Sequence, residues 1–104
     1  MPQFLYTLKL RDDLFEIKNW TSKENQIVTD HFNRLKDDME KGIVILAGRT
    51  TNMDKSGIGI VIFNMASKDE AKKYMNQDPA VKASIMKAEV FSYKIEIIKQ
   101  KNIT

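Results

Sequence analysis

The chain has 104 residues, 42% apolar, 9% aromatic and 30% charged, with 17 basic against 14 acidic side chains for a net charge of +3. That length admits one domain, here residues 1–104, with a real hydrophobic core, and the composition excludes disorder. The absence of cysteine excludes disulfides, thiolate nucleophiles and sulfur-ligated zinc, and a single histidine excludes a histidine-rich metal centre within one chain.

Phe4, Tyr6, Leu8 and Leu10 alternate with Gln3, Thr7 and Lys9, which is the period of a strand over residues 3–10. A polar, aromatic-bearing loop follows from Arg11 to Trp20. Thr21-Ser22-Lys23-Glu24 reads as a capping box: the Thr21 hydroxyl satisfies a free amide of the first turn and Glu24 reaches back. The helix it opens is expected to run to about Lys41, with Gly42 ending it in a left-handed conformation. Val28, Phe32, Leu35 and Met39 form its core stripe at helical spacing. The apolar run from Ile43 to Gly48 is a second strand, and Arg49 to Ser56 a loop carrying the turn formers Asn52 and Asp54. Residues 57–63, Gly-Ile-Gly-Ile-Val-Ile-Phe, make a third strand that is apolar on both faces. Ser67-Lys68-Asp69-Glu70 is a second capping box, opening a helix with Ala71, Tyr74 and Met75 inward. Asp78-Pro79 restarts helical structure, Asp as cap and Pro at the first helical position. Phe91, Tyr93, Ile95 and Ile97 alternate with Ser92, Lys94 and Glu96 as a fourth strand.

The order strand–helix–strand–strand–helix–strand predicts an α+β chain with the ferredoxin-like βαββαβ split fold. Its antiparallel sheet has the first and third strands central and two helices on one face. Half of the apolar side chains of the second and third strands then point away from the helices. A contiguous apolar patch marks a contact surface, and packing against a second copy as a two-fold homodimer is expected to cover it, the alternative being that the C-terminal tail folds over this face. A cavity is expected between the two packed sheets, with His31 near its rim. Acids and bases are interleaved, as in Lys36-Asp37-Asp38 and Lys68-Asp69-Glu70, which argues against nucleic acid as a partner. There is no basic leader before an apolar run, and no apolar stretch nears the roughly 20 residues of a membrane span. The expected compartment is the cytoplasm.

His31 stands one position before Phe32, beside the core stripe, where a side chain can line a pocket at the helix–sheet edge. Imidazole suits general acid or base work near neutral pH, although a lone histidine at such a boundary also fits a structural role. Asp78 is a cap, and capping leaves it a second oxygen. Paired with His31 it would resemble the orienting half of a hydrolase triad. There is no G-x-S-x-G nucleophile motif, so acyl transfer is disfavoured. Arg11, Trp20 and Arg49 fall at element ends or in loops, placed to meet a small anionic or aromatic ligand, and surface arginines and a half-buried tryptophan account for them equally. Gly57-Ile58-Gly59 lacks the third glycine of a dinucleotide loop and precedes a strand rather than a helix.

Taken together, Asp30-His31-Phe32, Glu40-Lys41-Gly42 leading into Leu46-Ala47-Gly48, the glycine-bearing third strand, Ser67-Lys68-Asp69-Glu70-Ala71 and Asp78-Pro79 resemble the YCII-related family over residues 3–97. The resemblance implies a dimeric α+β barrel and a histidine–aspartate dyad that maps onto His31 and Asp78. Some relatives are lyases, including dehydrochlorinases, that act on small cyclic compounds without a cofactor. Many relatives carry Gly-Pro where this chain has Gly48-Arg49, which alters one wall of the pocket. The leading expectation is a small-molecule lyase or isomerase with no cofactor and no metal. In it His31 moves a proton, Asp78 fixes the tautomer and stabilises the imidazolium, and Arg11 or Arg49 holds an anionic group. The alternatives are a non-catalytic module that binds or senses a small ligand in the same cavity, and a structural interaction domain.

Overall fold

A computed structural model of the chain describes residues 1–52 and 54–99. Residues 100–104, part of the expected single domain, lie outside the described residues. The elements are β1 (Gln3–Leu10), two 3-10 turns (Asp12–Phe15 and Ile17–Asn19), α1 (Ser22–Glu40), β2 (Val44–Arg49), β3 (Gly59–Asn64), α2 (Lys68–Asn76), α3 (Pro79–Lys82) and β4 (Met86–Tyr93). The four strands form one antiparallel sheet in the order β2-β3-β1-β4, so β1 and β3 are central and the α+β ferredoxin-like arrangement is present. None of the described helices is long and apolar enough to cross a membrane.

Local sequence sets the helix ends. Both halves of the capping box form at Thr21 and Glu24, and Gly42 adopts φ +81 just after α1, a conformation that costs other L-residues a Cβ clash. At α2 only one half forms, with the Ser67 hydroxyl accepting from the Glu70 N–H. The register Phe4↔Phe63, Tyr6↔Val61 and Leu8↔Gly59 puts the larger inward side chains of the two central strands on one face. Leu35 of α1 and Ala71, Tyr74 and Met75 of α2 close that core. Phe63 stacks on Tyr74 with centroids 4.9 Å apart, and Tyr6 meets Phe63 edge-on at 5.5 Å.

Two further expectations need correction. The fourth strand begins at Met86 and ends at Tyr93, so Ile95 and Ile97 lie beyond it. Its partner decides this: β1 pairs Leu10 with Met86 and Gln3 with Tyr93, which uses up the whole length of β1. The buried face of α1 is also rotated from the expected stripe. His31 and Leu35 are buried, whereas Phe32 and Met39 remain 47% and 46% exposed. On the sheet face away from the helices, the pairings Leu5↔Ile62, Leu5↔Phe91 and Leu46↔Ile62 place an apolar group together, and Phe91 and Tyr93 there are 42% exposed.

Candidate functional site

His31 and Asp78 are the two buried polar residues of the described chain, 3% and 0% exposed. α1 carries His31 inward toward α3, whose N-cap is Asp78. His31 Nδ1 lies 2.7 Å from Asp78 Oδ1 and 2.8 Å from Oδ2, although the residues are 47 positions apart. Oδ1 also accepts the Ala80 N–H at 3.0 Å, which is the cap, and Oδ2 accepts the Tyr6 hydroxyl at 2.6 Å. Burial by itself would raise the Asp78 carboxyl. The hydrogen bond and charge of His31, then the Tyr6 and Ala80 donors, outweigh it and hold the group below its ordinary value. An ionised carboxylate only accepts, so in the neutral ring Nδ1 carries the proton and Nε2 the lone pair. Nε2 has no partner among the described residues, yet it is not sealed off as Arg34 Nη1 is.

A second group lies behind the pair. Arg34 stacks over the Tyr74 ring at 4.0 Å, donates from Nη2 to the Tyr74 carbonyl at 2.7 Å, and brings Nη1 to 4.0 Å from Asp78 Oδ2. The Tyr74 hydroxyl donates to Asp38 at 2.7 Å. Burial first, and the Asp78 carboxylate second, push the Tyr6 hydroxyl far above its ordinary range, so it is an O–H donor at any working pH.

His31 lines a cavity of about 580 Å³, within the range of small-ligand sites. Its floor is the helix-side face of the central strands at Leu8, Gly59 and Val61, and one wall is α1 at His31 and Leu35. The cavity therefore lies between helix and sheet inside one chain, and not between two packed sheets as expected. Gly59 brings no side chain to this floor. Among the described lining residues only His31 and Arg49 are ionisable, and none is acidic. Trp20 lines it too, its indole N–H donating to the Leu14 carbonyl at 2.7 Å. Arg11 does not: it pairs with Asp13 at 2.6 Å on the surface, both side chains nearly half exposed.

The structure thus gathers His31, Asp78, Trp20 and Arg49 at or behind one cavity and leaves Arg11 outside it. Sequence reasoning missed Tyr6 and Arg34. Tyr6 carried a usable signal, because an inward tyrosine on a central strand needs a partner for its hydroxyl. Among the described residues no group of three or more His, Asp or Glu side chains is placed to hold a metal.

A search of curated proteins returned no match. Among solved structures, the chain is similar to 5-chloro-2-hydroxyhydroquinone dehydrochlorinase (TftG) from Burkholderia phenoliruptrix AC1100, in its complex with 2,5-dihydroxybenzoquinone. The TM-score is 0.59 at 20% identity, covering 88% of this chain and 93% of that one, a likeness of fold. The YCII-related domain family matches residues 4–94, nearly the whole described chain, and the protein belongs to that family.

Proposed function

We propose that the protein is a cofactor-independent small-molecule enzyme of lyase or isomerase type, in which the His31–Asp78 dyad transfers a proton to or from a ligand in the cavity. The observation that carries this reading is a buried histidine clamped through Nδ1 by a fully buried carboxylate, on the wall of a mostly apolar cavity whose described lining has no acidic residue. Nε2 takes a proton from an acidic C–H or O–H of the ligand. The electron pair left behind expels a leaving group in a lyase, or is reprotonated elsewhere in an isomerase. Asp78 keeps the ring in the tautomer that leaves Nε2 basic, and its charge stabilises the imidazolium that forms. Arg49 suits an anionic substituent, since it is the one arginine or lysine among the described lining residues. The fold neighbour's dehydrochlorinase activity and its bound hydroxyquinone support a ring-sized substrate.

The test is a thermal-shift screen of small acidic ring compounds, followed by turnover assays on the wild type and on His31→Gln. Loss of turnover with binding retained supports the enzyme. Unchanged turnover refutes it, and a ligand that binds the wild type without reacting favours the binding module. The same proposal includes a homodimer formed through the apolar sheet face of Leu5, Ile62 and Phe91, away from the helices. A light-scattering mass near the 12.0 kDa of one chain at micromolar concentration would rule the dimer out.

A further inference from the structure

We infer that Tyr6 is a positioning residue for the dyad, holding Asp78 in place from behind and keeping the shared proton on His31. The inference rests on the proton-transfer reading of the same site. Tyr6 has no exposed surface and does not line the cavity, so it cannot touch a ligand. Its hydroxyl nevertheless makes the shortest contact that Asp78 has, 2.6 Å to Oδ2.

Three elements converge on that carboxylate. β1 supplies Tyr6, α1 supplies His31, and α3 supplies the Ala80 N–H. The last is backbone, so Tyr6 is the one side-chain hydrogen-bond donor to Asp78 besides His31 among the described residues. The Arg34 guanidinium stands 4.0 Å from the same oxygen with Nη1 making no hydrogen bond, so a neutral hydroxyl rather than a cation occupies that lone pair.

The consequence follows from what each donor favours. A hydrogen bond donated to a carboxylate stabilises its charged form. Moving the Nδ1 proton onto Asp78 would weaken the Tyr6 bond along with the ion pair. When Nε2 takes a proton from a ligand, Asp78 therefore remains an anion facing the imidazolium. The same bond resists rotation of the carboxylate, because Oδ2 cannot turn without leaving a buried hydroxyl unpaired. Outer hydrogen bonds that orient metal-ligating groups alter affinity or activity by roughly ten- to a hundredfold, and the lower end of that range is expected for a dyad proposed to work without a metal.

The chain has one histidine, so its imidazole NMR signals assign themselves. In Tyr6→Phe, Asp78 loses a competing donor, and the His31 Nδ1–H resonance should move downfield as its own bond strengthens. Turnover should fall roughly tenfold in kcat with KM unchanged, because Tyr6 is outside the cavity. Phe63→Leu is the packing control. It removes the edge-on partner of Tyr6 without touching the hydroxyl, and should lower stability while leaving the resonance in place. Protein grown on 3-fluorotyrosine retains the wild-type backbone with a stronger phenol donor, and the resonance should move upfield; this arm decides the matter if Tyr6→Phe does not fold. An unmoved or upfield resonance in folded Tyr6→Phe overturns the inference, as does an equal displacement in Phe63→Leu. The resonance needs no substrate, so a failure of the Tyr6 role is distinguishable from a failure of the enzymatic reading.

Discussion

Asp78→Asn preserves the volume of the side chain and removes its charge, so it isolates what the ionised carboxylate contributes. In the wild type that group accepts from His31, Tyr6 and the Ala80 N–H with no exposure to water. An amide offers one accepting oxygen and a donating NH₂ in the same space. Three former donors then face one acceptor, and the conflict is relieved if His31 changes tautomer, leaving Nδ1 to accept and Nε2 protonated, or if the Tyr6 hydroxyl turns to accept from the amide. Breaking a buried ion pair outright costs about 3–5 kcal/mol, and either change recovers part of that. We expect a loss of about 2–3 kcal/mol, or a Tm lower by roughly 10–20 °C for a domain of this size. The acid dependence gives a second measure. Because the folded carboxyl sits below its ordinary value, its contribution is fully present above the unfolded pKa of about 4 and is lost as pH falls through the lowered folded value. Urea denaturation of both proteins between neutral and acid pH reads both effects, and the acid limb should flatten in Asp78→Asn. A variant within about 0.5 kcal/mol of wild type at neutral pH, with the wild-type acid limb intact, refutes the reasoning.

Arg49→Gln should weaken an anionic cavity ligand by about tenfold or more, the loss expected for one charge-assisted hydrogen bond, whereas Arg11→Gln should leave its affinity unchanged. Quenching of Trp20, the one tryptophan and a lining residue, reports both titrations. At Gly59 the nearest atoms to an added Cβ would be the Gly48 carbonyl oxygen at 3.4 Å and the Leu8 side chain at 3.5 Å, ordinary contacts. Gly59→Ala should stay within about 1 kcal/mol of wild type by thermal melting. Gly59→Leu should fill the floor and abolish any ligand-induced thermal shift.

The elements most visible in the sequence were those fixed by local chemistry. Thr21 and Glu24 mark the start of α1 and Gly42 its end because caps and positive φ act over a few residues. The phase of α1 was less legible. Hydropathy selects Phe32 and Met39 as inward and passes over His31, Arg34 and Asp38, which are polar. In the fold those three meet distant partners: His31 pairs with Asp78, Asp38 accepts from the Tyr74 hydroxyl, and Arg34 is held by the Tyr74 carbonyl and ring with only its Nη1 left unbonded. A buried polar group costs little once it is paired, and pairing between residues about 40 positions apart leaves no mark on periodicity. The same limit explains the fourth strand, whose ends are set by the length of β1 and not by its own alternation.

Asp78 shows how a local signal can position a distant one. From sequence it is a helix cap, with Pro79 behind it, and the structure keeps that role through the bond from Ala80 N–H to Oδ1. α3 is only four residues long, so little of its own hydrogen bonding would hold it in place. The cap and the proline fix where it begins, and that fixes the carboxylate under α1. His31 then reaches Asp78 because the buried face of α1 turns it toward α3 rather than because of any motif shared between them. A substitution that spared both side chains but freed the start of α3, such as Pro79→Gly, should therefore loosen the dyad. Its measure is the His31 Nδ1–H resonance, which should broaden through exchange with water while far-UV circular dichroism stays near wild type. A sharp, unmoved resonance would mean that the bonds from His31 and Tyr6 position Asp78 without help from the cap.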